Sequence, residues 1–338
     1  MAFFAGLTTA SSRKTVIISV IILVQIWAFK FLIPAGTFSN TIEHRPQGLH
    51  TSTKKGPWND TDRPLVTYAY HETDVARENL KFFVEKALHG AADFIFIING
   101  ETNATALIPT DLPNVRVVKR PNRCFDLGGI GEVLRKDNLW KNYKRFITMN
   151  ASLRGPFWPI WSLDRCWTDV FLDKITDRVK LVGSSVNCRP RPHVQSMIFA
   201  TDAEGMAILV DKRKSLQGGL DDNFGKKEDP VAFGACYETM HAAIHAEVGS
   251  TSLLRNHGYE VDAMLGALHA YDNIDEYCAG EKDAGHDVYF NNRYYGFNIH
   301  PYEVVFFKAN RHVDPEMLEH LTRWHLSRTD SSWDSCKQ

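Results

Sequence analysis

The sequence predicts an α/β fold: a mainly parallel sheet with helices on both faces, preceded by one N-terminal transmembrane helix. Three observations carry this reading. From Arg63 onward, short β-rich runs alternate with helical spacing, the order that builds a parallel sheet. Phe94–Asn99 (FIFIIN) is a continuous apolar run, as in a strand buried on both faces. Val16–Phe29 (VIISVIILVQIWAF) is almost wholly apolar and continues past Lys30 to Ala35.

Taken in order, residues 1–14 read as a cytosolic tail and residues 15–35 as a signal anchor. A helix from Thr15 to Ala35 spans about 31 Å, enough for the hydrocarbon core. Arg13 and Lys14 flank it on the shorter arm, which places the remainder in the lumen, a type II topology. A cleaved signal peptide is the competing reading, but the apolar run is long for one and no small-x-small site follows. Residues 36–62, rich in Gly, Pro, Ser and Thr, read as a stem. Residues 63–327 form the expected catalytic domain, and 328–338 a polar tail.

Within the domain, Leu65–His71, Phe94–Asn99, Val115–Lys119, Arg145–Met149, Val179–Gly183 and Val194–Thr201 are expected strands. Ala76–His89 has helical spacing, with Leu80, Phe83, Val84 and Leu88 on one face. Leu127–Lys136 is expected to be helical once past its glycines, and 301–311 reads as an apolar strand ending in Lys308 and Arg311. The 338 residues carry a formal net charge of −1, which gives no footing for nucleic-acid binding. Six scattered cysteines without a CxxC pair argue against zinc and permit disulfides in an oxidising lumen. His241 and His245 have the spacing of a zinc pair, but Ala242 stands where the hydrolase signature needs Glu. Sequons occur at Asn59, Asn103 and Asn150; glycans are expected on the first two, whereas Asn150 closes a strand and is expected to be buried.

Ligands of such sheets bind outside the carboxyl ends of the strands. The candidates there are His71 and Glu72, Asn99 to Glu101, the Pro121–Asp126 turn, Asn150 to Ser152, and Ser184–Ser185. His193 and Gln195 alternate on one face of an expected strand, where polar groups need partners or line a cavity.

Four segments in order carry a resemblance: CFDLGGIGEVL (124–134), YKRFITMNASLRGPFWPIW (143–161), VGSSVNCRPRPHVQSMIFATDAEGMAIL (182–209) and HAEVGSTSLLRNHGYEV (245–261). Together they resemble the rhamnan synthesis protein F family of glycosyltransferase-like domains over about residues 64–265. The resemblance implies a GT-A-like (Rossmann-like) fold and transfer of a sugar from a nucleotide-sugar donor to a glycan or glycoprotein acceptor. It puts Asp126, followed by Gly128 and Gly129, at the nucleotide, although an Asp capping a helix and a flexible turn would look the same. It also puts Asn150-Ala151-Ser152 where such enzymes carry a metal-binding Asp-x-Asp. Neutral Asn and Ser hold a divalent cation poorly, so metal-independent transfer without a cofactor is expected. His193, Lys308 and Arg311 would then stabilise the leaving diphosphate.

Gly155, Pro156 and Phe157 are expected to shape the acceptor side. Glu247 is the expected catalytic base of an inverting transfer, with Asp221 and Asp222, in a Gly- and Lys-rich stretch read as a mobile loop, as alternatives. A retaining transferase without a carboxylate base is the other enzymatic reading. A catalytically silent glycan-binding or scaffold protein on the same fold is the reading from a different class. The expected location is the Golgi or endoplasmic reticulum membrane.

Overall fold

The computed structural model describes residues 63–280 and 287–336. The expected tail, anchor and stem, and the Asn59 sequon, lie outside the described residues. Among the described residues, no helix is long and apolar enough to cross a membrane.

The strands are β1 (Leu65–His71), β2 (Asp93–Asn99), β3 (Val115–Arg120), β4 (Arg145–Asn150), β5 (Leu153–Arg154), β6 (Val179–Gly183), β7 (Val186–Asn187), β8 (His193–Val194), β9 (Ile198–Asp202), β10 (Glu260–Ala263) and β11 (Phe307–Lys308). The helices are α1 (Asp74–Lys86), α2 (Phe125–Arg135), α3 (Trp167–Leu172), α4 (Ala203–Leu209), α5 (Met240–Asn256), α6 (Ile274–Gly280), α7 (Pro301–Val304), α8 (Pro315–Ser327) and α9 (Ser332–Ser335). Seven strands form the central sheet in the order β10-β6-β9-β4-β1-β2-β3. The pairs β1/β2, β1/β4, β2/β3 and β6/β10 are parallel, while β9 runs antiparallel to both β4 and β6.

Alternation along β1 explains the layers. Val66, Tyr68 and Tyr70 join one buried cluster, where Leu80 and Phe83 of α1 and Trp167 of α3 pack. Leu65 and Ala69 point the other way, into a cluster with Leu127 and Ile130 of α2 and Leu253 of α5. Helices therefore cover both faces, as the unbroken apolar strands require. α1 begins at Thr73, whose hydroxyl caps Ala76 N, so it starts and stops earlier than its apolar spacing suggests.

Three expected elements are rebuilt. The Val194–Thr201 strand is broken: β8 pairs with β7, and the sheet resumes only at Ile198. Val194 N donates to Thr251 Oγ1 at 3.0 Å, and Ser196 N donates to Glu247 Oε2, so the intervening residues dock on α5 instead of the sheet. Residues 301–311 are the short helix α7, the two-residue strand β11 and a 3-10 turn, with Val305 at φ 62° breaking the extended path. The helix α2 runs through its glycines instead of following them.

All six cysteines are paired, as Cys124–Cys236, Cys166–Cys336 and Cys188–Cys278. Sequence spacing left this pairing open.

Candidate functional site

The chain leaves β3, passes through α2 and returns on the opposite side of β1 as β4. That reversal of strand order leaves a crevice at the carboxyl ends of β1 and β4. A cavity of about 950 Å³ opens there. His71, Asp126, Asn150, Ser152, Glu247, Lys308 and Arg311 all line it.

Local structure explains how each arrives. The chain enters α2 through two consecutive left-handed residues, Cys124 (φ 74°) and Phe125 (φ 50°). Such conformations cost roughly 1–2 kcal/mol per residue. The Cys124–Cys236 bond ties this turn to the segment leading into α5. As a result the Phe125 ring is 39% exposed and faces the cavity. Asp126 follows in the first turn of the helix, not at its cap. Its Oδ1 accepts from Leu127 N at 2.9 Å, and its Oδ2 accepts from Asn150 Nδ2. Burial pushes the Asp126 carboxyl above the usual range, repulsion from Glu247 adds to this, and the Asn150 bond opposes both.

Both ends of the Asn150 amide are engaged. Its Oδ1 accepts from Ser152 N at 3.1 Å and Ser152 Oγ at 2.6 Å, while its Nδ2 serves Asp126. The burial expected of this sequon is met only in part: Asn150 is half-buried, at the wall of the cavity.

Glu247 projects from α5. Its Oε2 accepts from Ser196 N at 2.9 Å and from Ser196 Oγ, and its Oε1 lies 3.6 Å from His193 Nε2. Burial works to raise its pKa. Hydrogen bonding and charge from His193, the facing Lys308 and the Ser196 bond outweigh it, holding the carboxyl down at about 2. A carboxylate that acidic takes up a proton poorly near neutral pH, which fits badly with the base role expected of it.

The cations come from the C-terminal segment. Lys308 of β11 pairs with Leu153 of β5, and Ala309 N donates to Ser152 O at 2.9 Å. This ribbon pins the segment to the loop after β4. The Lys308 ammonium faces Glu247 and makes no hydrogen bond among the described residues. Arg311 lies 3.4 Å from Asp287 and stacks 4.8 Å above the Phe290 ring.

A second cavity, of about 570 Å³, lies against the same junction. Glu247, Lys308 and Arg311 belong to both; His193, Gln195, Arg189 and Phe224 belong to the second alone. His193 Nδ1 bonds to Arg191 O at 2.8 Å, and Gln195 Oε1 accepts from Ser185 Oγ at 2.6 Å.

Several expected site residues lie elsewhere. Glu72 is consumed by Arg77 at 2.9 and 2.8 Å, Tyr70 OH at 2.8 Å and Thr102. Gly128 and Gly129 do not face the cavity. A Cβ on Gly128 would sit 2.9 Å from Ala235 O, and one on Gly129 would sit 2.9 Å from an Arg120 guanidinium nitrogen, so both serve close packing. Phe157 is fully buried, its ring 5.1 Å from Phe82 and 5.2 Å from His325. Gly155 packs on Phe306, and Pro156 lines a small separate crevice beside Trp158. That turn is core, not acceptor side.

Asp222 lies outside both cavities. It accepts from Phe224 N at 2.8 Å and Gly225 N at 3.0 Å, pairs with Arg191 at 3.0 Å and faces His245 Nδ1 at 3.3 Å. Asp221 accepts from Lys227 N, so the stretch read as mobile is held by its own aspartates. His245 is buried on Asp222 while His241 is exposed beside Phe224, and the two do not form a metal pair. Asn103 is exposed, with its Oδ1 accepting from Arg77 at 2.6 Å.

Sequence reasoning placed Phe125 only within the Pro121–Asp126 turn, without a role, and missed Ser196 and the second cavity. The first two sit inside quoted motifs, but their exposure and partners depend on residues far along the chain. Among the described residues, the groups close enough to share a metal ion are His89/Cys166/Cys336 and Cys124/Glu132/Cys236, and each contains a disulfide.

No family model and no curated protein matches the chain. Among solved structures it is similar to a cytidylyltransferase from Leptospira borgpetersenii serovar Hardjo-bovis, at 12% identity and a TM-score of 0.26. The likeness covers 44% of this chain and 63% of that one, so the chain spans less than two thirds of that protein.

Proposed function

We propose that this chain is a glycosyltransferase of the secretory pathway that takes its sugar from a nucleotide-sugar donor. The observation that carries the reading is the first cavity itself. It lies at the switch point, is large enough to admit a nucleotide sugar, and joins an aromatic and acidic wall (Phe125, Asp126) to a cationic one (Lys308, Arg311). The nucleoside would lie against Phe125 and Asp126. The diphosphate would lie toward Lys308 and Arg311, which offset the charge that develops as it leaves. Glu247, ionised between the two cavities, would stabilise positive charge at the reacting centre.

The donor set favours transfer without a divalent metal. Asp126 already accepts two bonds, Glu247 Oε2 accepts two from Ser196, and Asn150 and Ser152 bond each other. Three disulfides and the exposed Asn103 sequon support a lumenal setting. The resemblance to the rhamnan synthesis protein F family favours a hexosyl or deoxyhexosyl donor and a glycan or glycoprotein acceptor. A catalytically silent glycan-binding protein is the second reading, and the mutual bonding of Asn150 and Ser152 favours it.

The test is nucleotide release by the purified full chain from a panel of UDP-, GDP- and TDP-sugars, with and without EDTA. Release from at least one donor, unchanged by EDTA, is expected. Release from none would move the assignment to the silent reading, and release abolished by EDTA would remove metal independence.

A further inference from the structure

We propose that the second cavity receives the acceptor and that His193, not Glu247, takes the proton from the acceptor hydroxyl. The inference rests on the transferase reading above and assigns the other half of that site.

The geometry of three atoms carries it. His193 Nδ1 lies 2.8 Å from Arg191 O, and a carbonyl only accepts, so Nδ1 carries a proton there. In the neutral ring Nε2 is then the lone-pair atom. It points at Glu247 Oε1, 3.6 Å away, the one oxygen of that carboxylate that Ser196 leaves open. A hydroxyl placed beside that gap can donate its single proton to Nε2, with the anionic Oε1 alongside. Since His193 lines the second cavity and not the first, the hydroxyl comes from the second.

The division of labour follows from chemistry. Glu247 Oε2 is already held by Ser196 N and Oγ, and the ionised carboxylate favours a proton on the facing imidazole nitrogen over one on itself. In the step, His193 Nε2 takes the hydroxyl proton and the acceptor oxygen bonds the anomeric carbon. The bond from that carbon to the diphosphate oxygen breaks, and the nucleoside diphosphate leaves with the electron pair against Lys308 and Arg311. Glu247 steadies the imidazolium, which returns its proton to solvent through the second cavity. Attack from the side opposite the diphosphate inverts the anomeric centre. Asn187, Gln195 and Phe224 on the cavity wall suit a sugar ring, with amides for its hydroxyls and an aromatic face for its apolar side.

The experiment uses the full chain, the donor found active in the panel, and a set of methyl glycosides as acceptors. His193→Gly is expected to lose acceptor-dependent transfer about 100-fold or more, in line with general-base catalysis. The donor-induced rise in Tm should be kept, and added imidazole should restore transfer at least tenfold. His193→Asn, which keeps a donor for Arg191 O, should lose transfer without rescue; it also serves if the glycine variant fails to fold. Transfer within threefold of wild type in a variant that still binds donor overturns the proposal, as does loss without rescue in a folded glycine variant. A wild type that releases nucleotide from no donor sinks the transferase reading instead, so the two failures are separable.

Discussion

At the residue scale, hydrogen-bond saturation separates roles that look alike in sequence. Asn150 and Asn103 both head sequons, but Asn150 Nδ2 is bonded to Asp126 inside the cavity while Asn103 stands exposed. In material from a glycosylating host, Asn103→Gln should shorten the chain by one glycan in a mass measurement after and before deglycosylation. Asn150→Gln should leave the glycan mass unchanged. Glu247 is similarly read by its partners. Removing its charge with Glu247→Gln strips the junction of its anion, and turnover should fall about 100-fold at unchanged donor affinity. Retention of full kcat would remove Glu247 from the site. The polar residues after each strand were legible because an α/β sheet puts ligands there. What each one touches was not: Ser196 reaches Glu247 from a distant stretch, and Arg77 and Ser185, though near in sequence, meet Glu72 and Gln195 only through the fold of the turns between them.

At the element scale, α2 shows why a glycine run was misread. Gly128, Gly129 and Gly131 suggest a turn ahead of the helix, yet they lie inside it. The missing side chains make room for the 232–236 backbone: a Cβ on Gly131 would sit 2.3 Å from Phe233 O. Ala would gain about 1 kcal/mol of helix propensity but meet rigid backbone, and overpacking costs about 1–3 kcal/mol. Gly131→Ala should therefore lower Tm. The strands β1 to β4 and β6 were legible within a residue or two because each is a short β-rich run bounded by turn residues. The reversed β9 was not, because nothing in its residues records the direction of its neighbours.

His89, just past α1, offers a pH test. It is fully buried between Phe94 and Trp167, and burial pushes its pKa down to about 3. The unfolded chain binds a proton there near pH 6.5, whereas the folded one does so only near pH 3. Its contribution is therefore complete above about pH 6.5 and lost as the pH falls through that window, at up to about 1.4 kcal/mol per unit. Tm should drop on acidification across that range, and His89→Phe should flatten the drop.

At the scale of the whole molecule, the C-terminal segment completes both the core and the site. Lys86, buried in α1, donates to Arg328 O at 2.7 Å, and Cys336 is bonded to Cys166. The Cys166→Ser/Cys336→Ser pair should cost about 2–5 kcal/mol of stability, seen as a lower Tm, and should reduce nucleotide release. Unchanged stability would show that the Lys86 contacts suffice. Sequence showed that the chain is oxidisable but not that its last cysteine reaches back across the fold. Lys308 and Arg311 lie upstream of Cys336, on the span that this bond closes. During synthesis, then, a nascent chain carries the acidic wall of its pocket well before it has the cationic one. The pocket is complete only once the C-terminal segment has emerged, so the order of translation puts its cationic wall last.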